Sequence, residues 1–161
     1  MEKGMRKLKL YLETSVWNFV FADDAPEKME ITKQFFDEIE RGKYDIYISN
    51  TVIGEIDDAN PQTRKRLTNL INEYNPIKLR DNDEVRSLSK KYIAEGIIPK
   101  KFEDDAMHIA FAAVYGLNAT VSWNMKHIVK LKTRVEANAI NQLEGYREIE
   151  ICTPEEVIEN D

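Results

Sequence analysis

Cysteine is nearly absent from this chain: among its 161 residues Cys152 is the only one. An intramolecular disulfide is therefore excluded, and the place of Cys152 at the end of the alternating run Ile149, Glu150, Ile151, Cys152 predicts a packed strand thiol in place of a reactive one. A reducing compartment is permitted by that usage. Also missing is any stretch of roughly 18 uncharged apolar residues, which excludes a membrane-spanning helix. A basic excess is missing too. With 29 acids against 23 bases the formal charge is -6, so the chain is not expected to coat nucleic acid through bulk charge. Nucleases stay open, because acids gathered around metal ions lower the net charge while local basic patches persist. The basic opening, Met1 to Lys9, lacks the sequel of a secretory signal: Lys9, Glu13, Thr14, Ser15 and Asn18 break the apolar run, and no small-residue cleavage site follows. The expectation is a soluble cytoplasmic protein. No repeat, low-complexity segment or linker interrupts residues 1–161, a length that makes one domain able to bury a core without disulfides or a structural metal.

What is present is an alternation of strands and helices. Leu8, Leu10 and Leu12 alternate with Lys9 and Tyr11 as a first strand, and Glu13, Thr14 and Ser15 follow as a strand end passing into a helix cap. A helix is predicted from about Pro26 to Arg41, with Pro at its start, Ile31, Phe35, Phe36 and Ile39 at helical spacing, and Gly42 after its last turn. Asp45 to Ser49 is a second strand. Asn50 and Thr51 cap the helix that carries Val52, Ile53, Glu55 and Ile56. Further helices are predicted over Gln62–Tyr74 and Asp81–Glu95, with a short strand at Ile77–Leu79 between them.

The stretch from Phe102 to Val129 is the most informative. Asp104 and Asp105 open a segment that is almost wholly apolar from Ala106 to Val114, which predicts a buried helix with an exposed acidic end, stopping at Gly116. A strand at Ala119–Ser122 then delivers Trp123 and Asn124 to the edge of an inner sheet. Beyond it come helical pieces at Lys126–Lys132 and Val135–Leu143, a turn at Gly145 and Tyr146, a last strand at Glu148–Cys152, and a terminal helix starting at Thr153 and Pro154. Such alternation favours a parallel sheet covered on both faces, with ligands outside the carboxyl ends of its strands. Glu13, Glu55, one of Asp104 and Asp105, and Asn124 are then expected at one end of the sheet.

Three or four carboxylates meeting without Lys or Arg between them repel, and a bound hard cation resolves the repulsion. Oxygen-only ligation suits Mg2+ or Mn2+, which makes phosphodiester hydrolysis the natural reaction. Taken singly, each acid has an ordinary alternative. Glu13 can be an acid favoured by a helix N-terminus, Glu55 a solvated helix residue, and Asp104 and Asp105 first-turn acids of which at most one aims into a site. His108 lies within reach of either aspartate and reads more naturally as a hydrogen-bonded helix histidine than as a ligand. Trp17 and Trp123 read as core or rim aromatics. The basic groups are solvated faces, with Lys126 set apart by its closeness to Asn124, where it can steer a phosphate. A receiver-like signalling domain fits poorly, because Glu13 has no adjacent acid and no Asp ends a middle strand to accept a phosphoryl group.

The blocks YLETSVWNF, VIGEI, DDAMHIAFA, VSWNMKHI, and GY followed by EIEICTPEE occur in an order that resembles the PIN-domain family, including toxin ribonucleases of type II toxin–antitoxin pairs. The resemblance runs from about Leu8 to Val157. It implies a three-layer α/β/α sandwich around a mostly parallel sheet and an endoribonuclease using Mg2+ or Mn2+ held by acids. Matched position by position, it implies metal ligands at Glu13, Glu55 and Asp105, with Asn124 beside them in the catalytic set. Thr14, Ser15, Asp104, His108, Lys126 and His127 are then supporting or substrate-facing residues. RNA is the implied substrate, an antitoxin protein the implied partner, and a homodimer a further implication. Two positions depart from the family's pattern: Glu13 stands where Asp is usual, and His127 stands where many members carry a fourth acid. A second implication therefore keeps the fold and drops cleavage, leaving a weakened module that binds RNA or a protein.

Overall fold

The computed structural model describes residues 6–159; the basic opening as far as Met5 lies outside them. Five parallel strands form one sheet in the order β3-β2-β1-β4-β5: β1 Leu8–Leu12, β2 Tyr44–Ser49, β3 Ile77–Leu79, β4 Ala119–Val121 and β5 Glu150–Cys152. Parallel neighbours cannot be joined by a tight hairpin, so helices carry each crossover and cover the faces. They are α1 Thr14–Asn18, α2 Pro26–Glu40, α3 Asn50–Asp57, α4 Pro61–Tyr74, α5 Asp83–Ala94, α6 Glu103–Val114, α7 Leu131–Leu143 and α8 Pro154–Val157. This is the expected α/β/α sandwich, with an entirely parallel sheet.

The chain winds from β1 through β2 to β3 on one side, then returns to place β4 and β5 on the other. The order reverses at the β1/β4 pair, where Leu12 stands in register with Val121. In open parallel sheets a crevice opens at such a switch point beyond the strand carboxyl ends. Residues Leu10, Tyr11 and Leu12 of β1 are all essentially buried, because both faces of this central strand are covered. On one face Tyr11 stacks on Phe111 of α6 with ring centroids 5.8 Å apart. Four alanines of α6, Ala106, Ala110, Ala112 and Ala113, are buried, so this helix packs closely on α5, β1 and β4. Phe36 of α2 anchors an aromatic cluster, 5.1 Å from Trp17, 5.8 Å from Phe35 and 4.9 Å from Tyr74. Among the described residues no helix is long and apolar enough to cross a membrane.

Local chemistry sets the boundaries. Asn60 and Asn82 cap α4 and α5 by accepting from Thr63 N at 2.9 Å and Val85 N at 2.8 Å. The cap of α3 is Ser49, whose Oγ accepts from Thr51 N at 3.1 Å; Asn50, expected to cap, is already helical and its side chain instead bonds to Asp81. The last strand starts at Glu150 and not at Glu148, because the Asn138 side chain brackets Ile149 in place of a strand partner, bonding its N–H and its C=O at 2.9 Å each.

The expected helix over Lys126–Lys132 does not form. Asn124 closes a single turn there: its carbonyl accepts from Ile128 N at 3.1 Å and Val129 N at 2.9 Å, and its Oδ1 accepts from His127 N at 3.0 Å. Lys130 is then extended, with φ −149° and ψ 153°, which ends the turn, and α7 begins at Leu131, ahead of the Val135 expected from the sequence.

Candidate active site

The two glutamates singled out in the sequence are each delivered by the strand before them. Glu13 is the first residue beyond β1, at the N-cap of α1. Glu55 lies on α3, directly after β2. Asp105 is in the first turn of α6, and Asn124 follows β4 by three residues. Glu13 and Asp105 are buried, and Glu55 is half-buried.

The three carboxylates share one pattern: side chains grip a single oxygen of each. Glu13 Oε1 accepts from Ser15 Oγ at 2.5 Å and from Ser122 Oγ at 2.6 Å. Glu55 Oε1 accepts from Thr14 Oγ1 and lies 2.8 Å from His108 Nε2. Asp105 Oδ2 accepts from Asn124 Nδ2 at 3.3 Å and lies 3.3 Å from His127 Nδ1. Among the described residues the second oxygen of each carboxylate accepts no side-chain hydrogen bond, and no Lys or Arg forms an ion pair with any of the three. Two backbone donors fix the supports in turn, since Trp123 N donates to Ser15 Oγ at 2.8 Å and Asn124 N to Ser122 Oγ at 2.9 Å.

Electrostatics follow from that geometry. Burial pushes the Asp105 carboxyl above its ordinary range and the charges of Glu13 and Glu55 add to the rise, against His108 and His127. Burial also works to raise Glu55, but the hydrogen bonds from His108 and Thr14 and the imidazole charge outweigh it, so the net shift is downward. Burial works to lower His108, and the Glu55 hydrogen bond together with the surrounding carboxylates reverses it to a net rise. Asp104, one position before Asp105, keeps its carboxylate largely in solvent; the partial desolvation it does feel, and the charge of Glu55, raise it.

The tightest group that geometry offers a cation is Glu13, Glu55 and His108, each with one atom within 4.8 Å of the others. Asp105 stands outside that tightest group, on the same side, where it feels both glutamates. The chemistry of the donors favours carboxylates over imidazole: three oxygens are free, whereas both His108 nitrogens already have protein partners. This donor set fits a hard divalent cation.

The remaining expected residues divide. Thr14 and Ser15 grip the two glutamates. His127 touches Asp105 and stacks on Phe102 with centroids 4.0 Å apart. His108, expected near an aspartate, is turned instead to Glu55. Lys126 is exposed beside this group. Trp17 is core, and Trp123 is nearly buried with its Nε1 donating to Thr32 Oγ1 at 2.9 Å. Sequence reasoning missed Ser122, Tyr11 and Ser49. Ser122 had a signal in its place right after a strand, and Tyr11 had one in being a hydroxyl inside a doubly covered strand, where it needs a partner. A groove of about 690 Å³ runs from Leu8, Gly116 and Arg147 along β5 to Cys152 and Val157, and holds none of Glu13, Glu55 and Asp105.

No family model and no curated protein matches the chain. Among solved structures it is similar to VapC20 of Mycobacterium tuberculosis, a Sarcin-Ricin loop cleaving toxin, at 12% identity and a TM-score of 0.54, covering 87% of this chain and 98% of that one. It is similar also to VapBC2 of Rickettsia felis, bound to a promoter DNA fragment, at 12% identity and a TM-score of 0.52, covering 91% of this chain and 98% of that one. At this identity the likeness shows a shared fold, and that fold is PIN-like: an α/β/α sandwich around five parallel strands.

Proposed function

We propose that the chain is an endoribonuclease of PIN type, a hydrolase dependent on Mg2+ or Mn2+ and the toxin of a toxin–antitoxin pair. What supports this reading is that Glu13 and Glu55 lie close enough for one atom of each to fall within 4.8 Å of the other, that the charges of both reach Asp105, and that side chains grip a single oxygen of each of the three carboxylates. Glu13, Glu55 and Asp105 would hold the cation through the second oxygen of each. When bound, it supplies Lewis-acid stabilisation of the phosphoryl oxygens and a water acidic enough to attack phosphorus at neutral pH. The chain's own residues do the positioning. Ser15 and Ser122 fix Glu13, Thr14 fixes Glu55, and Asn124 orients Asp105 without adding charge. In the hydrolysis, a P–O bond forms to water, the bond to one ribose oxygen breaks, and that oxygen leaves with a proton.

One further feature supports a protein partner. Apolar side chains on α7, Leu131, Val135 and Leu143, are mostly exposed, as a surface awaiting an antitoxin or a second copy would be. The test is cleavage of labelled single-stranded RNA with Mn2+. Cleavage is expected in wild type, lost with EDTA, and reduced by more than about a hundredfold in Asp105→Asn. Cleavage surviving both changes would exclude the mechanism.

His127 at the place of a fourth acid, touching Asp105, favours a second reading, a module that binds RNA or a protein without cutting. Under it, wild type retains labelled RNA in a gel shift with Mn2+ present and yields no product, and Glu13→Asp creates none.

A further inference from the structure

By proximity alone His108 looks like a ligand, since its ring belongs to the tightest group that could surround a cation. Its bonds say otherwise. The ring is fully buried, Nε2 lies 2.8 Å from Glu55 Oε1, and Nδ1 lies 2.7 Å from Tyr11 Oη. Beyond Tyr11 the contacts continue to Ser49 Oγ at 2.7 Å, which in turn accepts from Thr51 N. Ser49 ends β2, Tyr11 lies within β1, His108 is on α6 and Glu55 on α3, so one chain of hydrogen bonds ties four elements together beneath the acids.

We infer that Ser49, Tyr11 and His108 form a buried hydrogen-bond chain that orients Glu55 for the cation, which makes His108 a positioning residue and not a ligand; this rests on the cation-dependent function proposed above. An ionised carboxylate only accepts, so the atom between Nε2 and Glu55 Oε1 is a hydrogen on Nε2, and a nitrogen carrying a hydrogen has no lone pair for a metal. With His108 neutral, Nδ1 accepts from the Tyr11 hydroxyl, Tyr11 accepts from Ser49, and Ser49 accepts from the Thr51 backbone: each donor meets one acceptor. With His108 charged, the Tyr11 links reverse and Nε2 still donates to Glu55. The contact to Glu55 is therefore the same in both forms.

The identity of residue 11 makes the same point. It lies between Leu10 and Leu12 in a strand covered on both faces, where a phenylalanine would pack as well. Among the described residues the only partners of its hydroxyl are Ser49 and His108. Glu55 is a flexible side chain on a short, half-exposed helix. Two partners on Oε1 hold it in one arrangement, and among the described residues Oε2 accepts no side-chain hydrogen bond. Mutating groups placed behind metal ligands in this way typically costs roughly 10–100-fold in affinity.

Calorimetric titration of Mn2+ into wild type, Tyr11→Phe, His108→Leu and His108→Gln tests the inference. Wild type binds. Tyr11→Phe, which removes one hydroxyl and never touches Glu55, and His108→Leu each weaken Mn2+ by roughly 10–100-fold. His108→Gln, whose amide keeps a donor near the Nε2 position, recovers most of that loss. In 15N spectra of histidine-labelled protein, the Nε2 of His108 stays protonated when Mg2+ is added. Unchanged Mn2+ affinity in either Tyr11→Phe or His108→Leu, or loss of the Nε2 proton on Mg2+ binding, overturns the positioning role while leaving the cation reading in place. Failure of wild type to bind Mn2+ withdraws the cation reading itself, and the orienting role with it.

Discussion

Under the proposed function, Asp105 is where the conflict between stability and activity is sharpest. Burial and two neighbouring carboxylates raise its pKa, so in the cation-free protein its charged form is disfavoured in the fold. An acid whose folded pKa lies above its unfolded value costs stability above the folded pKa, and the cost vanishes as pH falls below the unfolded one. Cation-free Asp105→Asn is therefore expected to melt higher than wild type at pH 7, by a few degrees on a scale where 1 kcal/mol moves a domain of this size about 2–4 °C. The gap should close as the pH is lowered through the carboxylate range, which melting curves between pH 7 and pH 4 would check. A gain of stability together with a loss of cleavage would mark Asp105 as a residue of the proposed site. Cys152 behaves oppositely, as a residue with no demand on it. Burial, with Glu156 and Glu150 nearby, pushes its thiol up to about 12. Alkylation by iodoacetamide at pH 8 should be far slower in the native protein than in denaturant, and labelling at equal rates would contradict the packed position.

At the scale of elements, α6 is the helix on which the site depends, since it carries Asp105 at its mouth and His108 one turn inside. Its close approach to the sheet rests on small side chains. Ala110→Leu, at a fully buried position, is expected to destabilise the protein by about 1–3 kcal/mol through overpacking, read as a lower urea midpoint. The apolar run from Ala106 to Val114 made this helix legible, because a segment apolar on all sides has nowhere to go but inside. The α2 helix was legible for a different reason, a Pro at its start and a Gly at its end. The turn after β4 was not. The residues Lys126–Lys132 carry helix-forming side chains, yet one asparagine caps its own turn and Lys130 extends. That competition between a side-chain hydrogen bond and helix continuation is local, but its outcome depends on Asn124 being pinned by Ser122 and drawn to Asp105. The start of β5 was misjudged by two residues because a side chain of α7, Asn138, holds Ile149 where a strand would have.

For the whole molecule, a cation bound only to the folded state must stabilise it. At a concentration a hundredfold above Kd the gain is about 2.7 kcal/mol, which should lift the melting temperature by several degrees and be reversed by EDTA. A melting curve indifferent to Mn2+ would count against the proposed function and in favour of a non-cleaving module. By itself the sequence determined the order of strands and helices, the parallel sheet, the placing of Glu13 and Glu55 just after strands and that of Asp105 in the first turn of a buried helix, because hydrophobic period and capping chemistry are local properties. Tertiary structure alone decided which oxygen of each carboxylate is occupied, that His108 turns to Glu55 and not to its own helix neighbours, and that Tyr11, Ser49 and Ser122 join the acids. Those outcomes depend on the registers in which β1 lies against β2 and β4, and a register brings together residues more than a hundred positions apart that no local pattern links.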